Sequence, residues 1–294
     1  MREGVIDDGL LRAVENSDAY RLLRRLEIRE GLTGIGRKDG TDIGVVVDVE
    51  TTGIGEDDEI VELALRRFRF DPDGVVVKID RSYSWLEYPG RPLPEDIVRL
   101  TGITDADLAG QALQEAEIVR LLTSASFVVA HNARFDRPRV ERRLAGARGL
   151  AWACSCVGVD WRSNGFDGRS LGWLLGQVGM FHGAHRAADD VDAVIALLMH
   201  RLPGGGTALA DMLERERAPG WRFHAVGAAF ELKDALRLRG YRWDADRKTW
   251  WREVTESGRD EEHWWLARHV YSADADPKAR EPRIERVTWQ DRYL

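Results

Sequence analysis

Residues 45 to 53 read VVVDVETTG, a run of valines that ends in two carboxylates, Asp48 and Glu50. A run of this kind reads as a strand buried in a sheet, and an unpaired carboxylate is costly to take out of water. The acids at its end therefore need a partner. Side chains two apart on a strand project from the same face, so Asp48 and Glu50 point to one spot at the strand's C-terminal end. Two like charges that close repel unless a cation sits between them, which is a physical argument for a divalent metal. The pair alone is weak evidence, because acids that merely lie in water are common.

At 294 residues and 44% hydrophobic content the chain has room for one large or two modest globular domains. The opening MREGVIDDGL has no apolar stretch resembling a signal peptide, and no window approaches the roughly 18 apolar residues of a membrane span. A cytosolic chain without membrane contact is expected. The two cysteines, Cys154 and Cys156, are spaced for neither a common structural zinc knuckle nor a disulfide framework. Reduced, buried thiols beside a short strand are the plain reading. A formal net charge of -7 argues against a positive coat for nonspecific nucleic-acid binding, while leaving room for a local basic groove.

Residues 1–40 look like a helical appendage and linker. DDGLLRAVENSDAYRLLRRLEIRE carries leucines at helical spacing, with Ser17 placed as an N-cap between two short helices. GLTGIGRKDGTDIG follows as a glycine-rich linker. Gly31 and Gly36 have P-loop separation, but Arg37 and Lys38 stand where Lys and Ser/Thr belong. From Ile43 the pattern turns to strands: IGVVVDVE, IVELALRRFRF and VVVKIDRSYSWLEY form a three-stranded meander, with a DPDG turn before the last. Helices are expected around PEDIVRL and LQEAEIVRLLTSA. A buried strand, SFVVA, then runs into a loop and helix at HNARFDRPRVERRL. The helical stretches SLGWLLGQVG and AADDVDAVIALLMHRL close an α/β domain over residues 41–202. Beyond LPGGGT, residues 207–294 hold seven of the 11 tryptophans. The sequence there predicts a small α+β module of strand, helix, strand, turn and strand, its core stabilised by large aromatic area.

Two further clusters strengthen the case for a cation. AHNARFD places Asp136 near the start of a helix, where backbone N–H groups and the helix dipole favour an anion. GAHRAADDVDA places His185 just before a helix that carries Asp189, Asp190 and Asp192. Acids and a histidine at element termini are what a metal-assisted hydrolase needs.

DVETTG, HNARFD and HRAADD, in this order and at this spacing, resemble the three exonuclease motifs of the DEDD superfamily in its histidine, DnaQ-like branch. LTGIT at 100–104 resembles a further segment typical of that family. The resemblance covers residues 43–202 and implies a ribonuclease H-like exonuclease domain, a mixed sheet with flanking helices. In the family's third motif a histidine precedes the last acid by five residues, which selects His185 and Asp190. A sister branch has tyrosine four positions before that aspartate, where this chain has Arg186. Asp189 and Asp192 are then expected to be solvated or helix-capping, whereas Asp190 shares a face with Val194 and Leu197 and borders the buried stripe.

The resemblance implies that Asp48, Glu50 and Asp190 hold one divalent cation, Mg²⁺ or Mn²⁺. Asp48 bridges to a second cation oriented by Asp136, and His185 takes a proton from the attacking water. It places Thr51 and Thr52 where the family backbone meets the terminal 3′-hydroxyl, although their hydroxyls can equally stabilise the turn. Asn132 either touches substrate or caps the loop before Asp136, the second being favoured. In the Trp-rich module, Arg242 and Trp243 sit in RLRGYRWDADRKTWW, where cations alternate with aromatics as in single-strand platforms. Tryptophans in so small a domain serve first as core. The stretch also resembles a C-terminal extension of some bacterial DnaQ-like exonucleases.

The function expected is metal-dependent 3′–5′ hydrolysis at single-stranded 3′ ends, releasing nucleoside monophosphates, with DNA favoured over RNA. The alternatives are an RNA-trimming exoribonuclease and a non-catalytic module that binds nucleic acid or protein. A protein partner would engage the N-terminal helices or the C-terminal domain.

Overall fold

The computed structural model describes residues 7–272, 274 and 281–294. Residues 1–6, on which the expected absence of a signal peptide partly rests, lie outside the described residues. The chain divides into two compact units, one running to Arg215 and including Tyr293–Leu294, the other Glu216–Arg292. None of the described helices is long and apolar enough to cross a membrane.

In the first unit the elements run α1 (Asp8–Glu15), β1 (Arg24–Arg25), β2 (Gly31–Leu32), β3 (Asp42–Thr51), β4 (Ile60–Phe70), β5 (Val76–Leu86), α2 (Glu95–Thr101), α3 (Asp105–Leu108) and α4 (Glu115–Thr123). There follow β6 (Phe127–Ala130), α5 (Ala133–Arg143), β7 (Trp152–Cys154), α6 (Leu171–Gln177), β8 (Met180–Phe181), α7 (Ala187–Met199) and α8 (Ala208–Arg217), whose last two residues belong to the second unit. Six strands form a mixed sheet in the order β2-β5-β4-β3-β6-β7. The meander β3-β4-β5 is antiparallel, while β6 and β7 add in parallel beside β3.

Helices on both sides explain the valine run. Val45, Val47 and Val49 face a buried cluster with Ile118, Leu121 and Leu122 of α4 and Val140 of α5. Val46, fully buried, lies on the opposite face, and α7 packs across β3, β4 and β5. With a period of two, Asp48 and Glu50 share the face of Val46. Gly44, also on β3, permits close aromatic packing: a Cβ there would lie 2.4 Å from Phe68 Cζ and 2.9 Å from Phe127 Cζ.

The N-terminal reading needs correction. The first expected helix forms as α1, with the Asp7 carboxylate accepting from Gly9 N at 2.9 Å, but the second does not. Arg24 N donates to Gly179 O at 2.9 Å and Leu26 N to Phe181 O at 2.8 Å, so β1 lies parallel to β8. The supposed linker also contributes β2, which extends the large sheet beyond β5. The leucine spacing that suggests a helix is compatible with a strand as well, since Leu26 and Ile28, two apart, are both half-buried. Neither cysteine forms a disulfide; Cys154 is buried, whereas Cys156 is only half-buried.

The second unit contains β9 (Gly220–Ala225), α9 (Lys233–Arg239), β10 (Arg242–Asp244), β11 (Thr249–Thr255), α10 (Arg259–His269) and β12 (Arg283–Val287). Its antiparallel sheet has the order β10-β11-β9-β12. Phe223, Leu236, Tyr241 and Leu266 form the core, against which Trp221, Trp250 and Trp265 pack half-buried. Trp243 and Trp264 are exposed, so only part of the tryptophan content is core. Glu262, 1% exposed, accepts from Tyr241 Oη at 2.8 Å and Arg239 Nε at 3.2 Å and also pairs with Arg252. These partners offset the cost of burying its charge.

Candidate active site

Three carboxylates from two distant segments meet at the end of β3. Oxygen atoms of Asp48, Glu50 and Asp190 all lie within 4.8 Å of one another. The first two stand two apart on β3, opposite Ala64 and Glu62 of β4, and Asp190 lies in the first turn of α7. A register shift between Glu50 and Thr51 marks where the strand bends away at the site.

The electrostatics are those of half-buried acids crowded together. Burial, then the neighbouring Asp136, Asp190, Glu50 and Glu62 carboxylates, hold Asp48 well above the usual carboxylate range. Glu50 is raised to about 7 by burial and by Asp190 and Glu62, with Arg186 opposing. Asp136, in the first turn of α5 and 2% exposed, is also raised, chiefly by burial, while a hydrogen bond from the Val49 backbone works against the shift. Asp136 stands outside the trio that meets within 4.8 Å and acts on Asp48 by proximity.

The segment before α7 is tied down at several points. Asp190 Oδ2 accepts from His185 N at 2.9 Å, and Oδ1 bonds His182 Nε2 at 2.8 Å. His185 itself is exposed and has a left-handed backbone, φ 68°. The next residue, Arg186, donates through Nε and Nη2 to Glu62, each at 3.2 Å, and Ala187 N also donates to Glu62 at 3.2 Å. Ser84 Oγ supplies a further bond to Glu62 at 2.8 Å. Glu62, 1% exposed, thus pins the start of α7 to β4. His182 and Glu62 escape the sequence reading; the one signal for Glu62 is an acid inside the apolar run IVELAL. Asp189 is exposed as expected. Asp192 departs from expectation: it is neither solvated nor capping but takes two bonds from the buried Arg66 Nη1, at 2.8 and 3.0 Å.

Around the trio, the hydroxyls of Thr51 and Thr52 are committed to the turn. Thr51 Oγ1 donates to Gly53 O at 2.5 Å and Thr52 Oγ1 to Asp58 at 2.7 Å. Asn132 takes the left-handed conformation, φ 84°, before α5, and its side chain makes no cap hydrogen bond. Its contribution to the loop is a backbone shape that asparagine tolerates. From α5, Arg139 donates to Ile54 O at 3.1 Å and Gly55 O at 2.7 Å, and Arg142 to Asp58 O at 2.6 Å. One helix therefore sets both Asp136 and the loop that follows the first motif.

Arg242 and Trp243 lie in the second unit and do not act as one surface. Being adjacent on β10, they project to opposite faces. Arg242 lies over Trp251, 6.0 Å from its centroid, and Trp243 meets Trp250 at 5.5 Å.

A family model described as Exonuclease (RNase_T) matches residues 45–198 of this chain. The chain belongs to this exonuclease family. Its mixed sheet flanked by helices is the ribonuclease H-like fold, and it is a DEDD-superfamily exonuclease of the DnaQ-like kind. It is 33% identical over 129 residues to the DNA polymerase III subunit epsilon of Aquifex aeolicus, covering 43% of this chain and 57% of that protein. To the subunit epsilon of Treponema pallidum it is 30% identical over 161 residues, covering 51% of this chain and 72% of that one. Among solved structures, exonuclease X in complex with 5′ overhanging duplex DNA is 23% identical at a TM-score of 0.41, covering 58% of this chain and 91% of that one. Exonuclease I of E. coli in complex with a 5cy-dT13 oligonucleotide is 18% identical at a TM-score of 0.46, covering 85% of this chain and 64% of that one. At these TM-scores the structural likenesses add nothing to the family assignment.

The exonuclease's acidic trio suits a divalent cation. Its donors are hard carboxylate oxygens alone, and burial together with neighbouring carboxylates raises both Asp48 and Glu50, a cost that a bound cation would offset.

Proposed function

We propose that the chain is a metal-dependent 3′–5′ exonuclease that releases nucleoside monophosphates from single-stranded 3′ ends, DNA in preference to RNA. The observation that carries this is the meeting of Asp48, Glu50 and Asp190 within 4.8 Å in a chain of the exonuclease family. We assign the chemistry to the domain over 41–202, and substrate or partner binding to the module over 207–294.

Asp48, Glu50 and Asp190 would hold one Mg²⁺ or Mn²⁺, and Asp48 with Asp136 a second. Such ions lower the pKa of bound water and neutralise charge on the leaving 3′ oxygen. The protein's own groups do the rest. The exposed His185 accepts the proton of the attacking water, and Glu62 with Arg186 keeps the segment that bears it in place. Thr51 and Thr52, held by their hydroxyls, shape the backbone turn that meets the terminal nucleotide. The curated relatives are named as DNA polymerase III subunits, which favours DNA. Arg242 and Trp243 would serve substrate contact from different faces of their sheet, Arg242 toward phosphate and Trp243 toward a base.

The test is digestion of matched single-stranded DNA and RNA oligonucleotides, labelled at the 5′ end, with and without Mg²⁺. A Mg²⁺-dependent ladder shortening one nucleotide at a time, faster on DNA, is expected. Asp48→Ala should lower the rate by roughly 10³-fold or more, since several kcal/mol of charge stabilisation are lost. A ladder that is faster on RNA would shift the assignment to RNA trimming. Immediate release of the 5′ label would contradict the polarity, and no hydrolysis of either strand would leave a binding module.

A further inference from the structure

We propose that His182 is a positioning residue that fixes the Asp190 carboxylate for cation binding. The inference rests on the reading of Asp190 as a cation ligand. The His182 side chain is 5% exposed, and its Nε2 lies 2.8 Å from Asp190 Oδ1. An ionised carboxylate has no proton to give, so Nε2 carries the hydrogen and donates. The other oxygen, Oδ2, accepts from His185 N at 2.9 Å. Each carboxylate oxygen can accept at two positions, so these two bonds orient the group and leave each oxygen a free position. Asp190 can thus still face Asp48 and Glu50, whose oxygens lie within 4.8 Å.

The two histidines of FHGAH therefore divide the work. His185 reaches Asp190 through its backbone alone, and its ring has no hydrogen-bond partner among the described residues, which leaves it free for proton transfer. His182 reaches the same carboxylate through its ring and is shielded from water. The ring is held from outside the motif as well. It follows β8 directly, and β8 is paired with β1 through Arg24 N to Gly179 O and Leu26 N to Phe181 O. A Cβ at Gly172 of α6 would lie 3.8 Å from His182 Cε1, so that helix closes beside the ring. Partners that orient a ligating carboxylate commonly govern cation affinity by about 10- to 100-fold.

The test uses the full chain and Mn²⁺, with free ion followed by its electron paramagnetic resonance signal. His182→Gln keeps an N–H donor of similar reach, and His182→Met keeps the size without the donor. His182→Met is expected to bind Mn²⁺ about 10- to 100-fold more weakly at one site, with hydrolysis restored as Mn²⁺ is raised. His182→Gln should bind close to wild type, and His185→Ala should bind as wild type while losing hydrolysis. Wild-type affinity in His182→Met, or equal loss in the Gln and Met variants, would overturn the proposal and leave the exonuclease reading intact. Absence of Mn²⁺ binding by the wild type would overturn both.

Discussion

Burial and the surrounding carboxylates make ionisation of Asp48 and Glu50 on β3 unfavourable, and this has a sign that can be measured. Glu50 ionises at about 7 in the fold against an ordinary 4.5, and Asp48 and Asp136 are raised in the same sense. Between those values the folded chain binds protons that the unfolded chain has released, so stability is lost as pH rises from about 4.5 to about 7. The melting temperature of the chelator-treated chain should fall across that window, and saturating Mg²⁺ should remove most of the fall. A melting temperature that rises with pH in the metal-free chain would contradict the raised values. At this scale a strand's period of two put Asp48 and Glu50 on one face, and the family resemblance singled out Asp190, whose carboxylate the structure brings within 4.8 Å of both. Glu62 and the pairing of Asp192 with Arg66 depend on contacts between distant segments, which no local pattern carries, and His182, only eight residues before Asp190, lies in a loop whose side-chain directions follow no period.

The elements show where pattern suffices and where context overrides it. The meander and β6 were legible as apolar runs bounded by turn residues, and the helices from their apolar spacing of three and four. The stretch over residues 18–26 was not: its leucines fit a helix, yet the free edge of β8 offers backbone partners that a short isolated helix in water cannot match. Gly44 is a second case, since a glycine inside a strand is ordinarily a weakness. Here it makes room for Phe68 and Phe127, whose rings lie 6.3 Å apart. Gly44→Val should therefore lower stability by about 1–3 kcal/mol through overpacking, read as a shift in urea midpoint with unchanged slope. A neutral result would mean that the aromatic pair can move aside.

Across the whole molecule, every side chain assigned to the reaction lies in the first unit, while the second has its own core around Phe223 and Leu266. A chain ending at Arg217, the last residue of α8, should hydrolyse a small ester, such as the p-nitrophenyl ester of thymidine 5′-monophosphate, within about tenfold of the full chain, a change of about 1.4 kcal/mol in barrier. Its KM for long single strands should rise. An unchanged KM would remove the second unit from substrate binding and point to a protein partner instead. That unit's role was the least legible part of the sequence, because tryptophans that build a core and tryptophans that meet a ligand have the same spacing.

The most direct measurement is anomalous diffraction from a crystal soaked in Mn²⁺. The expected result is a peak bound by carboxylate oxygens of Asp48, Glu50 and Asp190; an empty position there, with Mn²⁺ bound elsewhere on the protein, would contradict the account.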